Sequence, residues 1–489
     1  MSKKIAVIGA GSLIFCRTLI ADVMSVKALQ GFDVAFTDIN ESNLSRITAL
    51  CQRDFEFNGI PTRIQSTTDR RAALRDADYI INCVRVGGLP AFETDIEIPL
   101  KYGVDQCVGD TLCIGGIMYG QRVIAQMLDF CRDIREVSKP GAIMLNYSNP
   151  NAMATWACNQ YGGVRTIGLC HGEIHGEEQI AEVLGIPRAE LDFICAGINH
   201  QTWYIRIRHH GRDMLGELLE AYEKHPKYSR TEKVRIDILK RFGYYSTESN
   251  GHLSEYVAWY RKRPEEIKDW IDLSDWIHGE SGGYLRHTRE ERNWFDTEYL
   301  KLLEEPPMKF DGSCRSGEHG SYIIEALETG RTYRGHFNVM NQGCISNLPD
   351  ECVVEVPCYV DGNGISVPKV GALPLGCAAV CSQSVWVQRL SVEAAVAGDV
   401  QLLKQAALMD PLTGAVLNPP EVWQMVDEML VAQAEWLPQY APEIEKAKER
   451  LEKGARIPTN DGYRGAARLR ELTPDEVSAQ RAARSLTAK

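Results

Sequence analysis

No apolar run in this 489-residue chain approaches the ~20 residues that a membrane-spanning helix needs. Basic charge is also in short supply. Lys and Arg total 54 against 66 Asp and Glu, a net charge of −12, which argues against nucleic acid or an anionic membrane as partner. The 15 cysteines include no Cys-x-x-Cys pair and no disulfide-like spacing, so most of them read as reduced core residues. No internal repeat is visible. Met-Ser-Lys-Lys runs straight into a strand, and the first apolar stretch doubles as a glycine motif, where a signal peptide would need a separate apolar run ending at small residues. The expected location is therefore the cytoplasm.

What is present is the composition of a globular enzyme, 44% hydrophobic and 25% charged, long enough for two domains or one large domain with an appendage. The apolar run Ile5–Ile8 leads into Gly9-Ala10-Gly11-Ser12, and a second run, Val34–Phe36, is followed by Asp38. A strand, Gly-x-Gly, a helix, a second strand and a terminal acid form the dinucleotide-binding arrangement. Gly9 supplies the tight turn and Gly11 lets backbone approach a pyrophosphate. The helix that follows offers its N-terminal N–H groups to that anion. Asp38 suits a ribose 2′-hydroxyl, which favours NAD over NADP. The third glycine position holds Ile14, so helix and strand are expected to pack less closely. A plain strand–turn–helix is the alternative.

Short β runs at 4–8, 32–37, 79–84 and 142–146 alternate with helix-like spacing at 16–30, 41–56 and 118–138. Further strands are expected at 165–169 and 192–196. The fold class is α/β: a doubly wound, Rossmann-like NAD-binding domain over 1–200, then an α+β substrate and oligomerisation domain over 201–453. In that second part, charged stretches at 222–241 and 262–312 read as helical or irregular, 351–360 as β, and 390–453 as helices. Residues 454–489 form a polar extension for which order and disorder both stand open.

Three strand ends carry polar clusters, where α/β enzymes place their sites. They are Asn146 to Asn151, Cys170-His171-Gly172-Glu173, and Gly197-Ile198-Asn199-His200. Cys170 and His200 could together hold a divalent metal, since thiolate and imidazole suit Mn, Fe, Co or Zn. Equally, Cys170 could be core, with His171 and His200 bonding strand-end carbonyls. The stretch Thr247 to Tyr256 is dense in titratable groups and could supply a general acid or base. The alternative is a helix start with Ser249 as N-cap, running through Tyr256 to Tyr260. Asp110, ahead of Gly115-Gly116, could orient a hydroxyl, donate a proton or cap a helix.

In this order the motifs resemble glycoside hydrolase family 4, the NAD- and metal-dependent glycosidases, over roughly residues 3–440. The carrying stretches are Ile8 to Ser12, Gly109-Asp110-Thr111, Asn146 to Pro150, Gly168 to Gly172, Ala196 to His200, Thr247 to Tyr256 and Asn347-Leu348-Pro349. Phe242-Gly243-Tyr244 and Val370 to Pro374 are closest in texture to the melibiase-type α-galactosidase branch. The resemblance implies NAD at Gly9, Gly11, Ser12 and Asp38, and a metal, usually manganese, at Cys170 and His200. It further implies sugar contact by Asn149, leaving-group assistance by Asp110 and a specificity role for His171.

The mechanism so implied is not the two-carboxylate one. Hydride leaves the sugar's C3, the ketone acidifies the C2 proton, and the metal stabilises the enediolate. The C1 aglycone is then eliminated, water adds, and the hydride returns. Two positions depart from the pattern. Gly172 stands where the α-galactosidase branch has serine, which resembles an α-glucuronidase subgroup and is expected to enlarge the sugar pocket. Asn250-Gly251 stands where some members carry an aspartate base, leaving Tyr256, His252 or a metal-bound hydroxide for that role. The expected substrate is an unphosphorylated α-glycoside, first α-galactoside, with a uronide or α-glucoside as alternatives. The expected assembly is a homodimer or homotetramer. An NAD-dependent hydroxy-acid dehydrogenase and a non-catalytic NAD sensor are the competing classes.

Overall fold

The computed structural model describes residues 2–487 apart from 275–278, 293, 313–314 and 455, with side chains described through residue 480. Among the described residues thirteen strands make one sheet. They are β1 (Lys4–Ile8), β2 (Asp33–Thr37), β3 (Gln65–Thr67), β4 (Tyr79–Asn82), β5 (Ile143–Asn146), β6 (Thr166–Gly168) and β7 (Leu191–Ile198). There follow β8 (Gln201–His209), β9 (Arg212–Asp213), β10 (Tyr245–Ser246), β11 (Tyr333–Met340), β12 (Val353–Asp361) and β13 (Gly364–Ser366). The order is β10-β8-β7-β12-β11-β6-β5-β4-β1-β2-β3, with β9 on β8 and β13 on β12. All six runs expected in the first 200 residues are strands. β1 to β6 pair in parallel and are joined by helices, the expected doubly wound unit.

The parallel strands read as continuous apolar runs because helices cover both faces. Every residue of Lys4–Ile8 and of Ile143–Asn146 is buried. Helix Leu13–Met24 packs on this unit through Leu13, Cys16, Leu19, Ile20 and Val23. Ile14 is 40% exposed, so the residue at the third glycine position points to solvent rather than wedging helix from strand.

β8 and β11 were not anticipated. β8 alternates buried Ile207 with half-buried Arg206 and exposed Arg208. β11 and β12 are inserted between β6 and β7, although they follow β7 by more than a hundred residues. Single-residue pairings then align Gly168, Asn338, Glu355 and Gly197 in one row across the sheet. That row lies directly beneath the site. The boundary expected at residue 200 falls in the turn between β7 and β8, within this shared sheet.

The described residues of the C-terminal extension pack on the rest of the chain. Asn460 N–H donates to the Lys101 carbonyl (2.8 Å), Ala466 N–H to Asp105 Oδ2 (2.9 Å), and Arg468 to Glu97 Oε1 (2.7 Å). It closes on a helix, Pro474–Thr487. No helix among the described residues is long and apolar enough to cross a membrane.

Candidate active site

Two clefts open at the carboxyl ends of the central strands. The first, of about 800 Å³, is lined by Gly9, Gly11, Ser12, Asp38, Arg85 and Trp436, among others. Gly9 has φ +84°, and a Cβ there would press on Cys83 and Val84 at 3.0 Å. Its N–H and that of Ala10 donate to the Thr37 carbonyl at 3.0 and 3.2 Å, tying the turn to β2. Gly11 N–H donates to Asp38 Oδ2 at 2.8 Å, and a Cβ on Gly11 would meet that oxygen at 2.7 Å. The four residues expected for the nucleotide thus stand together, with Ser12 at the N-cap of helix Leu13–Met24.

The second cleft, of about 400 Å³, is lined by Asp110, Asn149, Cys170, His171, His200, Glu248 and His252, with Phe15, Tyr147 and Tyr284 on its walls. Arg85, from the first cleft, lies 5.3 Å from the Tyr284 ring and so links the two.

Each side chain has a local reason for its place. Cys170 follows β6, and His200 sits in the β7–β8 turn at φ +61°, a conformation seldom adopted by non-glycine residues. Asp110 lies in a buried loop whose backbone N–H groups of Cys107, Val108 and Gly109 all donate to the Glu255 carboxylate, at 2.7, 2.9 and 3.0 Å. Asp110 caps no helix, because Cys113–Val137 starts after Leu112. Its Oδ2 accepts from Asn149 Nδ2 at 3.0 Å and its Oδ1 from Thr111 Oγ1–H at 2.9 Å. Thr111 has one hydroxyl proton, so its oxygen accepts from His200 Nδ1–H at 2.8 Å and Nε2 is left with its lone pair.

The 247–256 stretch starts a helix, as one of its two readings has it. Ser249 caps a helix, Asn250–Tyr256, which ends short of Tyr260. The same segment sends Glu248 and His252 into the cavity. Cys170 Sγ, a His200 ring nitrogen and a Glu248 carboxylate oxygen lie within 4.8 Å of one another, a donor set that could hold a divalent ion. Asp110, His200 and His252 make a second such group. Burial, then Glu248, holds the Cys170 thiol well above its ordinary range. Burial also opposes ionisation of Glu248, whereas positive charge on the surrounding imidazoles His200, His252 and His171 favours it and draws its carboxyl below the usual carboxylate range.

Tyr256 is fully buried, 3.4 Å from His200 Nδ1 on the side away from Nε2, and is not a lining residue. Burial, Glu255 and Asp110 push its phenol well above the usual range, which disfavours the phenolate a base would need. Burial keeps His252 below its ordinary value, as a neutral imidazole. A hydrogen bond to Glu318 raises His171 to about 9.

The expectation that Gly172 enlarges the pocket is overturned. A Cβ at that position would stand 1.6 Å from Glu248 Oε1, so the space is filled by the carboxylate. Glu248 was missed as a site residue because the reading of its segment rested on His252 and Tyr256. Glu355 was missed as well. Its buried carboxylate accepts from Asn199 and Asn338 at 3.0 and 2.9 Å beneath the site, and burial, then Glu173, pushes it up to about 8.

A dinucleotide-type cleft thus adjoins a cavity into which carboxylate, imidazole and thiol groups converge. The family 4 glycosyl hydrolase model matches residues 4–186, and its C-terminal domain model matches 195–413. The chain belongs to this family and is a glycosidase. It is 59% identical to an α-galactosidase of Rhizobium meliloti over 100% of this chain and 99% of that one. It is 35% identical to an α-galactosidase of Bacillus subtilis over 90% and 100%. Among solved structures, a 6-phospho-α-glucosidase from gut microorganisms, in complex with NAD and glucose-6-phosphate, superposes with TM-score 0.73 at 25% identity, covering 90% and 99%. The fold is also that of a 6-phospho-β-glucosidase from Thermotoga maritima (TM-score 0.72, 23% identity, 88% and 99% covered).

Proposed function

We propose that this glycosidase hydrolyses unphosphorylated α-galactosides with NAD in the Gly9–Asp38 cleft and a divalent ion, such as manganese, at Cys170 and His200. The observation that carries the reading is the meeting of Cys170 and His200 in a cavity linked to the nucleotide cleft. End-to-end identity of 59% with an α-galactosidase supports the sugar, and the NAD complex of a structural relative supports the cofactor. The residues fit both groups: glycines without room for a Cβ cradle the first, and thiol and imidazole donors face the second. When bound, NAD supplies a reversible hydride acceptor and the ion a Lewis acid for sugar oxygens.

The chain's own residues supply the rest. Asn149 holds sugar hydroxyls. Asp110, fixed by Asn149 and Thr111, faces the departing aglycone oxygen and, once protonated in the substrate complex, delivers that proton to it. His252, a neutral imidazole that lines the cavity with Nδ1 2.8 Å from Ser249 Oγ, is the base for the C2 proton. Protonated His171, beside Glu318, contacts the sugar at the cavity mouth. The family analogy extends the proposal to a cytoplasmic homodimer or homotetramer.

The test is a ratio of kcat/KM among α-galactoside, α-glucoside, the two α-uronides and 6-phosphosugars, with NAD, Mn²⁺ and reductant. One misplaced hydroxyl at a buried hydrogen-bonding site costs ~10⁴-fold. α-Galactoside is expected to lead. A uronide or phosphosugar leading by that margin overturns the assignment of the sugar.

A further inference from the structure

We infer that Glu248 is a third protein ligand of the divalent ion and that Gly172 is glycine in order to admit it. The inference rests on the metal reading above and adds to it a carboxylate. Glu248 Oε1 lies 3.4 Å from Cys170 Sγ and 3.7 Å from His200 Nε2. Donors held ~2.0–2.3 Å from one ion stand roughly 3–4 Å from each other, so these separations are those of ligands sharing a cation.

The backbone holds Glu248 in that place. Thr247 N–H donates to the Thr202 carbonyl at 2.9 Å on one side, and Ser249 caps the following helix on the other. Between them Glu248 takes φ +69°, a strained conformation for a residue with a side chain. Strain fixed from both sides aims the carboxylate at Cys170 and His200.

Gly172 supplies the independent observation. It is not among the glycines with positive φ, so its lack of a side chain answers a need for room and not for backbone freedom. The room is taken by Glu248, whose Oε1 and Cδ would lie 1.6 and 2.6 Å from a Cβ there. The two positions are 76 residues apart in sequence and exclude one another's side chains in space. Charge agrees with this. A thiolate and a carboxylate balance a divalent cation in a site where unpaired charge is costly. The mixed S, N and O donors suit manganese, iron, cobalt or zinc over magnesium or calcium, which prefer all-oxygen sites.

The test is Mn²⁺ binding by the full-length protein, followed by calorimetry and by the electron paramagnetic resonance signal of free Mn²⁺. Glu248→Gln is expected to weaken binding at least about tenfold, the low end of what even an outer partner of a metal ligand costs. In the Co²⁺-loaded protein, thiolate-to-metal absorption should persist in Glu248→Gln and vanish in Cys170→Ser. Gly172→Ala should weaken Mn²⁺ binding in the presence of Glu248 but cost nothing further in Glu248→Ala, a non-additivity that reports direct contact. NAD binding, read separately, verifies that each variant is folded. Wild-type affinity in Glu248→Gln, or additive losses in the double variant, would overturn the role of Glu248 while leaving the metal reading intact. Failure of the wild-type protein to bind Mn²⁺ would overturn the metal reading and this inference with it.

Discussion

Thr111 Oγ1 lies 2.8 Å from His200 Nδ1, and that contact decides which imidazole nitrogen faces the cavity. The hydroxyl proton is committed to Asp110, so Thr111 accepts from His200 and leaves Nε2 free to ligate. Thr111→Val keeps the shape of the side chain and removes the acceptor. We expect Mn²⁺ affinity to fall about 10–100-fold, the range for loss of such a partner, with NAD affinity unchanged. Equal loss of both affinities would point to general unfolding and count against the contact.

NAD should be required yet not consumed. The cleft at Gly9, Gly11 and Asp38 adjoins the cavity of a glycosidase, and the proposed cycle returns its hydride. Sugar release should proceed without matching growth of NADH absorbance. Stoichiometric NADH accumulation would instead show a dehydrogenase.

Crowding at Gly11 gives a cofactor-specific prediction. Gly11→Ala places a methyl 2.7 Å from Asp38 Oδ2. NAD binding should weaken at least tenfold by fluorescence titration, while Mn²⁺ binding holds. Asp38→Ala should raise the Kd for NAD more than that for NADP, because the 2′-phosphate loses an anionic neighbour.

Activity should need both a divalent ion and a reduced thiol. Chelation should abolish turnover, with Mn²⁺ restoring the wild-type protein but not Cys170→Ser, since only the thiolate is a strong ligand. A metal-stripped Cys170→Ser protein with full turnover would falsify the assignment.

His336 should contribute stability that is lost in mild acid. This residue of β11 is 5% exposed, and its Nε2 accepts from Cys195 N–H at 3.2 Å, which requires an unprotonated nitrogen. Burial lowers it to about 4, with Glu173 opposing and Arg334, His319 and Arg188 assisting. Between pH 6.5 and 4 the unfolded chain takes up a proton that the folded one refuses. The contribution is therefore complete above pH 6.5 and declines as pH falls, by up to about 3 kcal/mol. Denaturant unfolding should show the wild type losing stability relative to His336→Gln as pH falls from 6.5 to 4. The difference isolates His336 from Glu355, whose raised carboxyl acts in the opposite direction. Parallel profiles would rule His336 out.

Much of the molecule was legible before any coordinate. Strand runs, the Gly9–Asp38 segment and the polar clusters after β5, β6 and β7 are local patterns. An apolar run covered on both faces and a glycine turn are written in neighbouring residues. The sequence alone therefore determined the doubly wound unit, the nucleotide cleft and the identity of Cys170, His200, Asp110 and Asn149 as candidates. Tertiary structure decided how they meet. Insertion of β11 and β12 between β6 and β7 puts Gly168 and Gly197 in one row, which brings Cys170 to His200. The exclusion of a side chain at Gly172 by Glu248, and the retreat of Tyr256 behind His200, are contacts between distant segments. No local periodicity encodes them, because pairing order and side-chain exclusion arise only when the whole sheet closes around its core.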